Sequence, residues 1–207
     1  MMNINELNTI NPELISVVRV GHENCSAEGV SYGKRVVKHY ELDYITWGTG
    51  SITTDGEEIP TKGGTLFFRE PGMIVEGVAP YHCYFLMLEL FDDSLPETLR
   101  RPNRDGQQLP NVFVMNEPRI IEELLKGLYE DYLHPGEVSR FTIKSRLMQL
   151  FYMIYVTFRQ EEKWKELENS PGKKDEGICQ VINLIKENPC NTYTIDYLSK
   201  DADYRHY

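Results

Sequence analysis

The sequence predicts a chain of two characters, mainly β up to residue 115 and α-helical from residue 116, and three observations carry the prediction. Short β-favouring runs follow one another at turn-spaced intervals in the first half. An Asp-Gly pair stands between two of them, where a tight hairpin would need it. Past Asn116 the apolar residues take up a helical period in place of an alternating one.

Val36-Val37, Leu42-Tyr44-Ile45 and Ser51–Thr54 are the first β-favouring runs. Thr54-Asp55-Gly56-Glu57 then reads as a hairpin, because a primed two-residue turn requires positive φ. Ile59 and Lys62-Gly63-Gly64 lead to another strand at residues 65–68, Pro71-Gly72 makes a turn, and residues 81–91 form a long β-rich stretch. Strands of this length and spacing build a β-sandwich or a small barrel.

In the second half, Ile120, Ile121, Leu124, Leu125, Leu128, Tyr129 and Tyr132 form one apolar stripe. Asn116 and Pro118 suit its N-terminus, and His134-Pro135-Gly136 ends it. A second helix is expected over about residues 138–167. Ile143, Leu147, Leu150, Ile154 and Phe158 make one stripe on it, and Met148, Phe151, Tyr152 and Tyr155 widen that stripe sideways. A helix apolar over most of its girth must bury two sides. One side can cover the strand region, and the other is free for a second copy. The set Ile143, Leu147, Leu150, Ile154 and Phe158 is assigned to that dimer interface. Residues 169–177 read as a polar linker with a Pro-Gly breaker, followed by two short helices within 178–207.

The bulk numbers narrow the function. A length of 207 residues allows one good core with an appendage, or two small domains. With 41% hydrophobic and 26% charged residues the chain has the composition of a folded protein. Its net charge of −10 gains nothing at long range from nucleic-acid phosphates, and no local basic patch stands out. The apolar-rich stretch at residues 84–90, like every other apolar run in the sequence, is too short to cross a bilayer. The N-terminus lacks the basic start and apolar stretch of a signal peptide, so a cytoplasmic location without membrane contact is expected. Cys25, Cys83, Cys179 and Cys190 show no paired spacing and read as free thiols. Nothing matches a nucleophile elbow, a phosphate-binding loop or a dinucleotide fingerprint. No catalytic residue is assigned and no enzyme is expected.

Two stretches resemble AraC-type (AraC/XylS) transcription regulators. The first runs from Tyr40-Glu41-Leu42-Asp43-Tyr44-Ile45-Thr46-Trp47-Gly48-Thr49-Gly50 through Asp55-Gly56 to Gly64-Thr65-Leu66-Phe67-Phe68-Arg69-Glu70-Pro71-Gly72. It is similar to the family's sensor barrel. The second, residues 178–207, resembles the first helix-turn-helix of the family's DNA-binding domain. The resemblance implies a cupin-like jelly-roll barrel at 1–115 and a helical dimerisation segment at 116–168. It further implies a linker at 169–177 and a truncated helix-turn-helix unit at 178–207. Asp203 stands where the family usually has a turn glycine. Tyr204-Arg205-His206-Tyr207 would only begin the recognition helix, so the DNA-binding residues stay unassigned and this chain is expected to bind DNA poorly or not at all. DNA would be met only through a complete C-terminal domain.

The resemblance also implies a homodimer that senses a small-molecule effector, a sugar or an aromatic compound. Trp47 and the Tyr81-His82-Cys83-Tyr84 stretch resemble pocket positions of an arabinose-responsive member, so Trp47, His82 and Tyr84 are candidate ligand contacts. Tyr44, Glu41 and Arg69 join them by strand location. Trp47 replaces a charged residue of that member, which points away from arabinose and toward a ligand with an apolar or stacking surface. The alternative is that these aromatics fill a solid core. Cupin enzymes hold a metal through an H-x-H pair, a Glu and a later His. Here His39 and Glu41 stand without the second His, and Val75 occupies the third-His position. Two ligands fall short of a catalytic set, so no metal or other cofactor is expected. A cupin-type isomerase or dioxygenase stays the rival reading.

Overall fold

The structure, a computed structural model, describes residues 10–91 and 109–169. The chain divides into two compact units, Met1–Gln160 and Glu161–Tyr207. Of the second unit, the described part is the end of one helix. The expected linker beyond Asn169 and the two short helices within 178–207 lie outside the described residues, as does most of the N-terminal segment.

Among the described residues, nine strands precede two helices: β1 (Glu13–Val20), β2 (Arg35–Val36), β3 (Tyr40–Gly48), β4 (Ser51–Thr54), β5 (Glu57–Pro60), β6 (Thr65–Arg69), β7 (Ile74–Val78), β8 (Tyr81–Glu89), β9 (Val112–Val114), α1 (Pro118–Leu133) and α2 (Ser139–Asn169). They form two antiparallel sheets, one ordered β1-β8-β3-β6-β9 and the other β2-β7-β4-β5. This is the β-first, α-second order that the sequence predicts. The hairpin falls where expected. Thr54 pairs with Glu57, and the turn residues Asp55 and Gly56 have φ of 48° and 91°, the doubly positive geometry that an Asp-Gly turn supplies. Gly50 answers a different demand, since a Cβ there would run into the carbonyl oxygen of Val78.

The strands that the sequence reading omitted are β1, β7 and β9. Only Val17 of β1 is buried, because β1 lies at a sheet edge and pairs with β8 alone. An edge strand with one buried side chain carries little alternation to read. Gly77 interrupts β7, and β9 is three residues long.

The main core lies between the five-stranded sheet and the helices. It joins Leu42, Tyr44, Leu66, Phe68, Leu86 and Leu88 to Ile121, Leu125, Leu128, Leu147, Leu150, Ile154 and Phe158. A smaller cluster of Ile45, Ile52, Phe67, Tyr81 and Cys83 bridges the two sheets. Pro118 opens α1 as expected, since a first-turn residue needs no N–H partner. The stripe on α1 is narrower than the reading: Ile121, Leu124, Leu125 and Leu128 are buried, whereas Ile120 and Tyr132 face out.

The dimer assignment is corrected on α2. Leu147, Leu150, Ile154 and Phe158 are at most 3% exposed, and Ile143 packs partly buried against the same core. These residues belong to the chain's own interior and have no surface to offer. The more regular stripe faces inward, and of the residues that widen it Phe151 is buried with it, whereas Met148, Tyr152 and Tyr155 face outward together with Phe141.

Candidate ligand-binding site

Side chains alternate across a strand, so each strand of the five-stranded sheet has one face toward the helices and one toward the second sheet. On β8, Tyr84, Leu86 and Leu88 pack on the helical side, while Tyr81, Cys83, Phe85 and Met87 point the other way. On β3 the split is Leu42 and Tyr44 against Glu41 and Asp43. Together with Arg35 of β2, Ile52 of β4 and Val75 of β7, these second-face residues line a cavity of about 400 Å³. Space therefore remains between the two sheets, whereas Tyr44 and Tyr84 lie in the packed core on the helix side.

Most of the wall is aliphatic or aromatic, and its polar groups form one connected ion cluster. Arg35 donates from both terminal nitrogens to Glu41, at 2.6 and 2.8 Å. The Nη1 of Arg69 lies 2.6 Å from Asp43 and 3.5 Å from Glu41. Glu41, Asp43 and Arg69 are buried, whereas Arg35 is half-exposed at the rim. Its hydrogen bonds to Glu41, opposed by desolvation, hold the Arg35 guanidinium above its ordinary pKa. Burial pushes the Tyr81 phenol and the Cys83 thiol far up, with the Asp43 carboxylate adding to both, so each stays protonated. Arg35 also lies 5.6 Å over the Phe85 ring, and Arg69 5.7 Å over Phe67. Such contacts favour guanidinium where a cation loses water.

Of the six expected ligand contacts, the structure brings Glu41 and Arg69 to this cavity and the other four elsewhere. Tyr44 points to the helices, where its hydroxyl donates to the Pro118 carbonyl at 3.2 Å. Tyr84 stands on the same face, edge-on to Tyr129. His82 and Tyr84 border a separate cleft with His22, Glu122 and Lys126, on the helix side of the sheet. Trp47 is 48% exposed and packs on His82, ring centroids 4.8 Å apart. Simple alternation from Glu41 would put Trp47 in the cavity. A bulge breaks it: Ile45 pairs with Cys83 and Trp47 with His82, so Thr46 is an inserted residue that flips the parity.

The residues that sequence reasoning missed are Asp43, Arg35, Tyr81 and Cys83. Asp43 follows Glu41 by two on one strand and was findable from that spacing alone. Arg35 reaches Glu41 from another sheet, a contact that no local pattern announces. The candidate metal pair does not form either. His39 engages Glu89 at 2.7 Å while Glu41 is taken by the two arginines. Among the described residues, no group of three His, Cys, Asp or Glu side chains could hold a metal ion. Cys25 and Cys83 are free thiols, and no helix among the described residues is long and apolar enough to cross a membrane.

Comparison with known proteins gives one match of family scale. The model described as an AraC-like ligand binding domain matches residues 17–151, more than half of the chain. No curated protein matches. Solved structures similar to part of the chain include apo ToxT from Vibrio cholerae, at 9% identity over 95% of this chain and 71% of that one, with a TM-score of 0.42. A cupin protein from Bacteroides fragilis is 24% identical over 39% of this chain and 66% of its own, with a TM-score of 0.28. The EutQ protein of Clostridium difficile is 22% identical over 30% of this chain, with a TM-score of 0.25. The match spans about half of that protein, 49% of its length.

Proposed function

Because the chain belongs to the family of AraC-like ligand binding domains, we propose that it is the sensor and dimerisation portion of a ligand-responsive bacterial transcription regulator. Its effector, a sugar or an aromatic compound, binds between the two sheets, and the protein works by binding, not by catalysis. The observation that carries this reading is the cavity of about 400 Å³ with apolar walls and one compact polar cluster. A pocket of that kind orients a small molecule through a few polar groups and gains affinity from the walls.

The route from cavity to helices runs through β3. Asp43 faces the cavity, and its neighbour Tyr44 is bonded to the first residue of α1. An effector that favours one placement of β3 therefore biases α1 as well, and only by its difference in affinity for the two placements. DNA would be engaged by a complete C-terminal domain. The dimer forms through the outward face of α2, where Phe141, Met148, Tyr152 and Tyr155 are exposed at spacings that keep one seam.

Two measurements test this. Calorimetric titration with sugars and aromatic compounds should find a binder, and Ile52→Trp, which fills the cavity, should abolish its binding while the fold persists by circular dichroism. Retained binding in that variant would place the site elsewhere. Sedimentation of Met148→Glu/Tyr152→Glu should give monomers from a dimeric parent. Unchanged association would move the interface off this face.

A further inference from the structure

Most polar side chains of the cavity are already engaged. Arg35, Glu41, Asp43 and Arg69 hold one another, Glu76 accepts from Ser31 at 2.6 Å, and the Tyr32 hydroxyl accepts from the Ser26 N–H at 3.4 Å. Tyr81 differs. It lines the cavity and is only 8% exposed, yet its hydroxyl makes no hydrogen bond among the described residues. Unlike the Nε of Arg69, that oxygen is not one of the unpartnered atoms sealed from all accessible space. A buried phenol ordinarily finds a partner.

The sequence makes room for this hydroxyl. Tyr81 opens β8 in the five-stranded sheet, and its phenol reaches β7 of the other sheet, where a Cβ on Gly77 would run into the phenol oxygen. Gly77 lines the same cavity and stands inside a strand. Glycine weakens a strand interior, and what it gives in return is the close approach of another group. The Tyr32 ring meets Tyr81 edge-on, with 5.5 Å between centroids, and Val20, Ile52 and Phe85 add apolar wall. Burial keeps the phenol protonated, so its oxygen can both donate and accept.

We propose that Tyr81 is a specificity-determining contact of the effector, and that the effector is a ring-sized molecule whose hydroxyl or carbonyl group hydrogen-bonds the Tyr81 hydroxyl. This rests on the sensing reading above. A cavity of about 400 Å³ accommodates a body of that size. The bond supplies discrimination, because a molecule lacking the polar group displaces water from the cavity and leaves the phenol unpartnered.

The test is calorimetric titration of the full chain. Benzyl alcohol, acetophenone, cyclohexanol and xylose are the oxygen-bearing probes, and toluene is the counterpart of benzyl alcohol without oxygen. Each is titrated into the parent, Tyr81→Phe and Ile52→Trp. At least one oxygen-bearing probe should bind the parent, be lost in Ile52→Trp and weaken about tenfold in Tyr81→Phe. Toluene should behave alike with the parent and Tyr81→Phe. Urea unfolding of unliganded Tyr81→Phe should show a midpoint no lower than that of the parent, since no hydrogen bond within the protein is lost. Gly77→Ala sets a methyl against the phenol and should weaken the same probe, and adding Tyr81→Phe should weaken it no further. A probe lost in Ile52→Trp but bound equally by Tyr81→Phe overturns the Tyr81 assignment and leaves the sensing cavity standing. A lowered midpoint, an equal loss for toluene, or additive losses in the double variant overturn that assignment too. Binding that survives Ile52→Trp, or none across the panel, overturns both.

Discussion

The two faces of the five-stranded sheet are built from the same strands and have opposite chemistry. Toward the helices, Leu42, Tyr44, Leu86 and Leu88 sit in a continuous apolar core. Toward the second sheet, Glu41, Asp43 and Arg69 are as deeply buried but stand beside open space. The first face gains stability from close packing. The second gives up packing for a space and holds its charges by pairing them. One face is therefore a packed core and the other the wall of a cavity, and a strand such as β3 serves both.

The cavity face should break most sharply. Arg69→Leu leaves Glu41 and Asp43 with lost partners and should cost about 3–5 kcal/mol in urea unfolding. Adding Asp43→Leu removes the stranded charge, so the double variant should recover much of that loss. A double variant no more stable than the single would show that the cluster is not the source of the cost. On the helix side, Leu86→Ala should cost about 2–5 kcal/mol through lost contacts and the void left behind. No single change of charge state should rescue it.

Alkaline pH sharpens the contrast with a smaller effect. Burial raises Cys83 on the cavity face and Tyr44 on the helix face above their ordinary values of 9.0 and 10.0. A raised pKa means that the folded chain keeps a proton which the unfolded chain releases. Stability is therefore full below the unfolded value and declines as pH rises toward the folded one. Thermal unfolding should hold steady to about pH 9 and then fall by up to roughly 1.4 kcal/mol per pH unit per group. Cys83→Ala should delay the onset to about pH 10, where the tyrosines take over. An onset unmoved by that change would assign the decline to other groups.

Much of this was legible in local pattern. The Asp55-Gly56 hairpin, the Ser51–Thr54 strand and the Pro118 helix start follow from backbone chemistry within a few residues. Alternation also gave the opposed directions of His82 and Cys83. What alternation cannot give is which face looks into the cavity. His82 and Tyr84 share a face, as the spacing says, but it is the helix side. The Thr46 bulge then inverted the expectation for Trp47. The α2 stripes posed the same problem in helical form: two apolar sides are visible in the sequence, and only the tertiary core distinguishes the inner from the outer. Arg35 and Glu41 meet across sheets, beyond the reach of any periodicity.

The double hold of Asp43 and Glu41 on Arg69 has a thermodynamic consequence. Arginine is among the side chains that lose most rotamer freedom when fixed, up to about 2 kcal/mol. Here that loss falls during folding, when the guanidinium is locked in place. A molecule bound between the two sheets, as proposed, would not have to order Arg69, and its affinity would not be reduced by that cost.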